Sequence, residues 1–314
     1  MRIFKDPYLV GVGPWLKFLW KAHITNWFWK SRLERRLTRQ HRFLEMKLSY
    51  LRRYIPFIQG MRAVDTIDRS EAFADEKMFT LWFQGLDNAP HVVKQCVESQ
   101  KRYYADQLIV LDEKTISDYI TLPDYIIEKR NRKVMGPANF SDIVRLELLY
   151  RYGGIWFDAT DYLLGPVSDV VQKADFFMYV SSETLNPHMF VANCFIRAKK
   201  GDPLLKMWRD LIFEYWKNEN KNIDYFLVHY LFRLLVTYNS EAKKLFEEMP
   251  KIEQDSLHLL WFKYGDLPYD KKDYDNMLKE NFLQKCSYRK LKFAKTEIIP
   301  GSMKDYVING RANQ

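Results

Sequence analysis

Asp158 and Asp161 stand in the stretch RYGGIWFDATDYL, residues 151 to 163, with Thr160 between them. Two glycines end one element, three large apolar residues follow, and the carboxylates come directly after. A divalent cation that also grips a diphosphate needs one or two carboxylates on a rigid strand end, with positions left for phosphate oxygens and water. This pair supplies that; an aspartate capping the next turn would look the same. Asp142 and Arg145 lie three apart in NFSDIVRLELLYRY, residues 139 to 152. On a helix that spacing lets them pair and face one ligand, or form a plain surface ion pair. Trp82 and Gln84 end the apolar run that starts at Lys77, and Asn193 is a polar residue inside MFVANCFIRA. Such an amide is either satisfied in the core or aimed into a cleft. Asp224 opens a helix in NIDYFLVHYLF, where an N-cap is the simplest role. His229 is off its face and reads as structural.

These residues need a scaffold. From about residue 76 the pattern alternates strands and helices: strands at 77–83, 107–112, 155–157, 175–180 and 189–198, helices at 90–102, 114–120, 123–130, 139–152, 203–217, 223–238 and 240–248. Ser141 is available as an early cap of the helix before Gly153 and Gly154. The alternation predicts an α/β fold with a mostly parallel sheet and helices on both faces. Ligands of such sheets bind outside the carboxyl ends of the strands, which is where Asp158 falls.

The 314 residues carry a net charge of +9, but residues 1 to 60 alone hold thirteen Lys and Arg against three acids. The basicity therefore belongs to a leading segment. It contains Trp15, Trp20, Trp27 and Trp29 among lysines, then the stripe Leu33, Leu37, Leu44, Leu48, Leu51 and Ile55 under a basic face. Aromatic rings and cations beside an apolar stripe predict a helix lying in an anionic membrane interface through residues 14–55. A helical hairpin packed on the main domain is the alternative. Nucleic acid is not expected, since no reader motif accompanies the charge. Three scattered cysteines argue against a disulfide framework or zinc site and fit a reducing cytosol. No stretch reads as a cleavable leader or a spanning helix. The expected location is cytoplasmic, peripheral on the inner face of the cell membrane.

FSDIVRLELLYRYGGIWFDAT resembles the signature of the bacterial capsular polysaccharide synthesis glycosyltransferases, relatives of the DXD sugar transferases of glycosyltransferase family 32. LWFQGLDNAPHVVKQCVESQKRY, ANCFIRAKKGDPLLKMW and IDYFLVHYLF fit the same family, so the resemblance covers about residues 76–235 well. It implies a GT-A, Rossmann-like catalytic domain at 63–314 behind a basic helical segment at 1–62. It further implies a nucleotide-sugar donor, UDP-sugar favoured, a lipid-linked or growing capsular acceptor, retention of configuration, and Mn²⁺ or Mg²⁺ held by Asp158 and Asp161. Thr160 stands where the second acid of DXD belongs, so Asp158 is the firmer ligand. By the same resemblance Asp142 contacts donor sugar hydroxyls and Arg145 meets sugar or phosphate. Trp82 and Gln84 sit at the base, Asn193 lines the donor cleft, and Asp224 lines the acceptor side. Asp158, Asp161 and Asp224 are thus the expected catalytic residues.

Two other classes compete. WFDATD, the Ser after YV at 179–180 and GDLPYD at 265–270 mimic the motif order of haloacid-dehalogenase phosphatases, but Thr160 replaces the general acid that chemistry needs. A non-catalytic membrane-bound assembly protein on a transferase fold is the second alternative.

Overall fold

The computed structural model describes residues 32–64, 76–181, 190–289 and 297–311, with side chains from 41 onward. Its elements in chain order are α1 (Arg32–Leu51), α2 (Ile55–Gly60), β1 (Met78–Leu81), α3 (His91–Tyr104), β2 (Leu108–Leu111), α4 (Asp124–Asn131) and α5 (Pro137–Tyr152). Then come β3 (Gly154–Phe157), β4 (Asp161–Leu163), the single turn α6 (Asp169–Gln172), β5 (Phe176–Val180) and β6 (Val191–Ala198). The chain closes with α7 (Pro203–Asn218), α8 (Leu227–Tyr238), α9 (Ser240–Glu248), α10 (Lys271–Glu280), β7 (Leu283–Lys285) and α11 (Met303–Ile308).

The main sheet has the order β2-β1-β3-β6-β5. β1 runs parallel to β2 and to β3, β6 is antiparallel to β3, and β5 is antiparallel to β6. Four strands therefore point one way and β6 alone runs back, which agrees with the predicted α/β, mostly parallel arrangement. Trp82, Asp112 and Asp158 follow the carboxyl ends of β1, β2 and β3, and so lie along one edge. A second sheet pairs β4 with β7, setting Asp161 opposite Lys285.

Local chemistry explains how β3 is delivered. Pro137 starts α5 behind Gly136, because a proline loses nothing where the first N–H is unpaired anyway. Ser141 is therefore not the cap but an interior residue. Gly153 ends the helix at φ 69°, its N–H bonding Leu149 O. A Cβ on Gly154 would lie 1.8 Å from Lys77 O, so only glycine lets β3 approach the start of β1 this closely.

From Leu44 onward the stripe meets protein. Leu44, Leu48, Leu51, Tyr54 and Ile58 are buried in the same core as α5, α7 and α8. Polar contacts fix the same face: Lys47 Nζ donates to Ile223 O (2.5 Å), Tyr50 Oη to Glu219 (2.8 Å), and Asn239 Nδ2 to Ile58 O (2.8 Å). For residues 44–58 the apolar side is therefore covered by the main domain, as in the packed alternative, although the helix runs on through residues 52–54 with no hairpin turn. The tryptophan-rich part, with Trp15, Trp20, Trp27 and Trp29, and the side chains of Leu33 and Leu37 lie outside the described residues. No described helix is long and apolar enough to cross a membrane.

Candidate active site

The turn after β3 is pinned from three sides. Asp158 N donates to Cys194 O (2.8 Å) and to Asp161 Oδ2 (3.1 Å), and Asp161 N donates to Asp158 O (2.9 Å). From α3, the Gln100 amide donates to the carbonyls of Asp158 (3.0 Å) and Asp161 (2.8 Å). Such a turn cannot drift, so the Asp158 carboxylate has a fixed direction.

That carboxylate is the point where charges converge. Its Oδ1 accepts from the Trp156 indole (2.9 Å) and lies 3.3 Å from Arg145, while Oδ2 lies 2.6 Å from Lys285 Nζ. Its side chain is 27% exposed, so it meets both the core and solvent. Arg145 also reaches Asp142 (3.4 Å), stacks 4.9 Å over Trp156, and donates to Asn193 O and to Ser141 Oγ (3.2 Å). Asn193 Nδ2 returns a bond to Asp142 Oδ1 (2.9 Å). Five of the expected site residues, Asp142, Arg145, Asp158, Asp161 and Asn193, thus form one connected cluster. Within it Arg145 is turned inward: it positions Asp158 and Asn193, with its guanidinium spent on protein groups.

Trp82 joins the cluster edge. It packs with Ala159 in a small apolar group and meets Tyr288 edge-on at 5.2 Å. Its buried indole N–H has no hydrogen-bond partner. Gln84 is exposed two residues further on, its carbonyl accepting from Asn88 (3.1 Å) in the turn after β1. Asp224 does not cap α8, whose N-cap is Phe226 with no side-chain bond; its carboxylate accepts from Phe226 N (2.9 Å) in the turn that leads into the helix. Its neighbour Tyr225 lies near enough to feel the charges of the cluster. Tyr225 is 65% exposed, and its phenol is raised by burial of the hydroxyl and then by the charges of Asp158 and Asp142. In the phosphatase reading Asp266 should join Asp158; instead it pairs with Lys304 at 2.8 Å.

Lys285 was not anticipated, and it changes the chemistry of the pair. Its ammonium bridges Asp158 and Asp161, the latter at 3.0 Å. Burial pushes the Asp158 carboxyl up, but Lys285 and Arg145 outweigh it, and the group is held below the usual carboxylate range. Asp161 is 0% exposed, and burial pushes it up to about 7 against the pull of Lys285. Lys285 stays charged, since the two acids outweigh its own desolvation. A metal expected at Asp158 and Asp161 does not fit these donors. Each of the four carboxylate oxygens already accepts one bond, and the Lys285 ammonium bridges the two acids at the place a shared cation would take. Among the described residues no group of three or more His, Cys, Asp and Glu is placed to hold a metal.

Beneath the cluster, His229 is buried and neither ring nitrogen has a hydrogen-bond partner. Burial, then the charge of Arg145, lowers its pKa to about 3. The folded value lies below the unfolded 6.5, so the unfolded chain binds more protons between those values and stability falls as pH falls through that window. Between pH 7 and pH 5 this amounts to about 2 kcal/mol. Asp142, raised to about 6 mainly by burial, acts in the opposite sense, so the comparison of variants isolates the histidine. His229→Leu is expected to lose less melting temperature than wild type between pH 7 and pH 5. Equal losses would show that the imidazole is solvated.

Comparison with known proteins adds to this geometry. Over 184 residues the chain is 27% identical to the O-glycosyltransferase braB of Annulohypoxylon truncatum, a match covering 53% of this chain and 44% of that protein. It is 26% identical over 156 residues to the glycosyltransferase afumC of Aspergillus fumigatus, covering 44% of this chain and 40% of that protein. The chain thus spans less than half the length of these curated relatives. Among solved structures, PaToxG Glycosyltransferase is similar with a TM-score of 0.38 at 15% identity, over 63% of this chain and 79% of that one. Residues 31–303 match the family model described as capsular polysaccharide synthesis protein, and the chain belongs to that family.

Proposed function

We propose that this chain is a glycosyltransferase of GT-A type that takes a nucleotide sugar, UDP-sugar favoured, as donor. The observation that carries the reading is Asp158. It is a carboxylate fixed at the carboxyl end of a parallel strand, kept ionised by two cations and open to solvent on one side. In the reaction, the bond from the anomeric carbon to the diphosphate breaks, a bond to an acceptor oxygen forms, and the nucleoside diphosphate leaves. Preorganised charge at the diphosphate end favours that departure. Asp142 and Asn193, bonded to each other beside Asp158, are the polar groups offered to a sugar, and the partly buried Trp82 offers a ring face to a base. Asp161, fully buried, holds the turn and does not reach a substrate. Asp224 acts through the turn that presents Tyr225.

The acceptor in this reading is a hydroxyl of a lipid-linked or growing polysaccharide. Two observations support it: the family description, and an exposed apolar face on the outer side of α1 and α2. Phe43, Met46 and Phe57 are exposed there beside Arg42 and Arg53. Rings and cations together suit an anionic lipid surface.

A panel of nucleotide sugars tests the function, read by melting temperature and by release of nucleoside diphosphate. A donor that binds only the native state raises the melting temperature. Hydrolysis of p-nitrophenyl phosphate, with no response to any nucleotide sugar, would turn the reading to the phosphatase.

A further inference from the structure

Lys285 is held in place by more than its own two ion pairs. β7 runs antiparallel to β4 with Lys285 directly opposite Asp161, and the ladder continues on both sides. Cys286 N donates to Thr160 O (2.8 Å) and Leu164 N to Phe282 O (2.7 Å). The neighbouring Gln284 is fully buried, accepting from Leu260 N (2.9 Å) and donating to Ser256 O (2.9 Å). The lysine backbone is therefore tied to the same turn that carries Asp158. That fixes where the stem starts, and the two ion pairs hold its head.

An ammonium has three N–H donors. Two are taken by Asp158 Oδ2 and Asp161 Oδ1, and the side chain remains 21% exposed. One donor is left over, and both Lys285 and the neighbouring Asp158, 27% exposed, reach the surface. Resting on the glycosyltransferase reading, we propose that Lys285 is the built-in cation of this site. It binds the donor diphosphate directly, and no divalent metal is needed between the carboxylates and the phosphates. Asp161, which no solvent reaches, then serves to anchor the lysine. Thr160, where a second exposed acid would stand, fits a site whose cation comes from the chain itself.

The test starts with Mn²⁺ alone, followed by electron paramagnetic resonance on the full chain. Wild type is expected to leave Mn²⁺ free. Lys285→Met, which keeps the stem and removes the charge, is expected to bind it at the vacated acids. Mn²⁺ bound by wild type and released by Asp158→Asn would overturn the proposal. The second measurement titrates UDP and other nucleoside diphosphates with and without EDTA. Wild-type affinity should be unchanged by EDTA. Lys285→Met should bind at least tenfold more weakly, and Lys285→Arg should restore most of the affinity. Wild-type affinity that collapses in EDTA would again overturn it. Failure of every nucleoside diphosphate, with Mn²⁺ rejected by wild type and taken by Lys285→Met, would count against the glycosyltransferase reading and leave the cation assignment standing.

Discussion

Asp158→Asn is expected to lower sugar transfer at least about 100-fold while the chain still folds, because preorganised charge at a reacting centre has effects of that size. The amide keeps the shape and still offers an oxygen to the Trp156 indole, so the turn after β3 survives. What it loses is the charge that holds Arg145 and Lys285 toward one point. Two partly buried cations then keep fewer counter-charges, and the melting temperature should fall by several degrees, about 2–4 °C for each kcal/mol in a domain of this size. Circular dichroism of the purified variant checks the fold, and nucleoside diphosphate release checks the chemistry. A variant that transfers sugar at near wild-type rate would remove Asp158 from the reaction altogether.

Much of this site was legible because its parts are close in sequence. α5, the glycine pair and β3 occupy residues 137 to 157, and their order follows from helix periodicity, a glycine stop and an apolar run. Most of the strands and helices around them match their expected ranges within a few residues; α8 starts late, since residues 223–226 form the turn shaped by Asp224, and the helix expected at 114–120 is only a 3-10 turn at Ile116–Asp118. Ser141 misled because serine favours caps, yet the Gly136-Pro137 start overrides it and leaves the hydroxyl to Arg145. Lys285 was hidden for a different reason. It lies 124 residues from Asp161, in a strand of three residues, and no local pattern announces a pairing at that distance. The leucine stripe was seen correctly as a stripe, but amphipathicity states only that one face is covered. Whether protein or lipid covers it is decided by α8, far along the chain.

A chain beginning at Met61 is accordingly expected to aggregate or to melt far below wild type, and not to behave as a soluble, anchor-free enzyme. Leu44, Leu48, Leu51, Tyr54 and Ile58 are each at most 5% exposed in the core shared with α8. Burying a large apolar side chain contributes about 1.5–3 kcal/mol, so the five together contribute on the order of 10 kcal/mol. Whole domains are stable by only about 5–15 kcal/mol. Deleting α1 and α2 also uncovers the apolar surface of α8 and leaves Glu219 and Asn239 without the partners they have in Tyr50 and Ile58. The milder variant Leu48→Ala keeps the chain whole and should cost about 2–5 kcal/mol, the range for a buried leucine truncated to alanine. Size-exclusion chromatography and thermal melting read both. A Met61 chain that stays monomeric, melts near wild type and binds the same nucleotide sugar would show that α1 and α2 are an appendage, and would return the leucine stripe to the membrane.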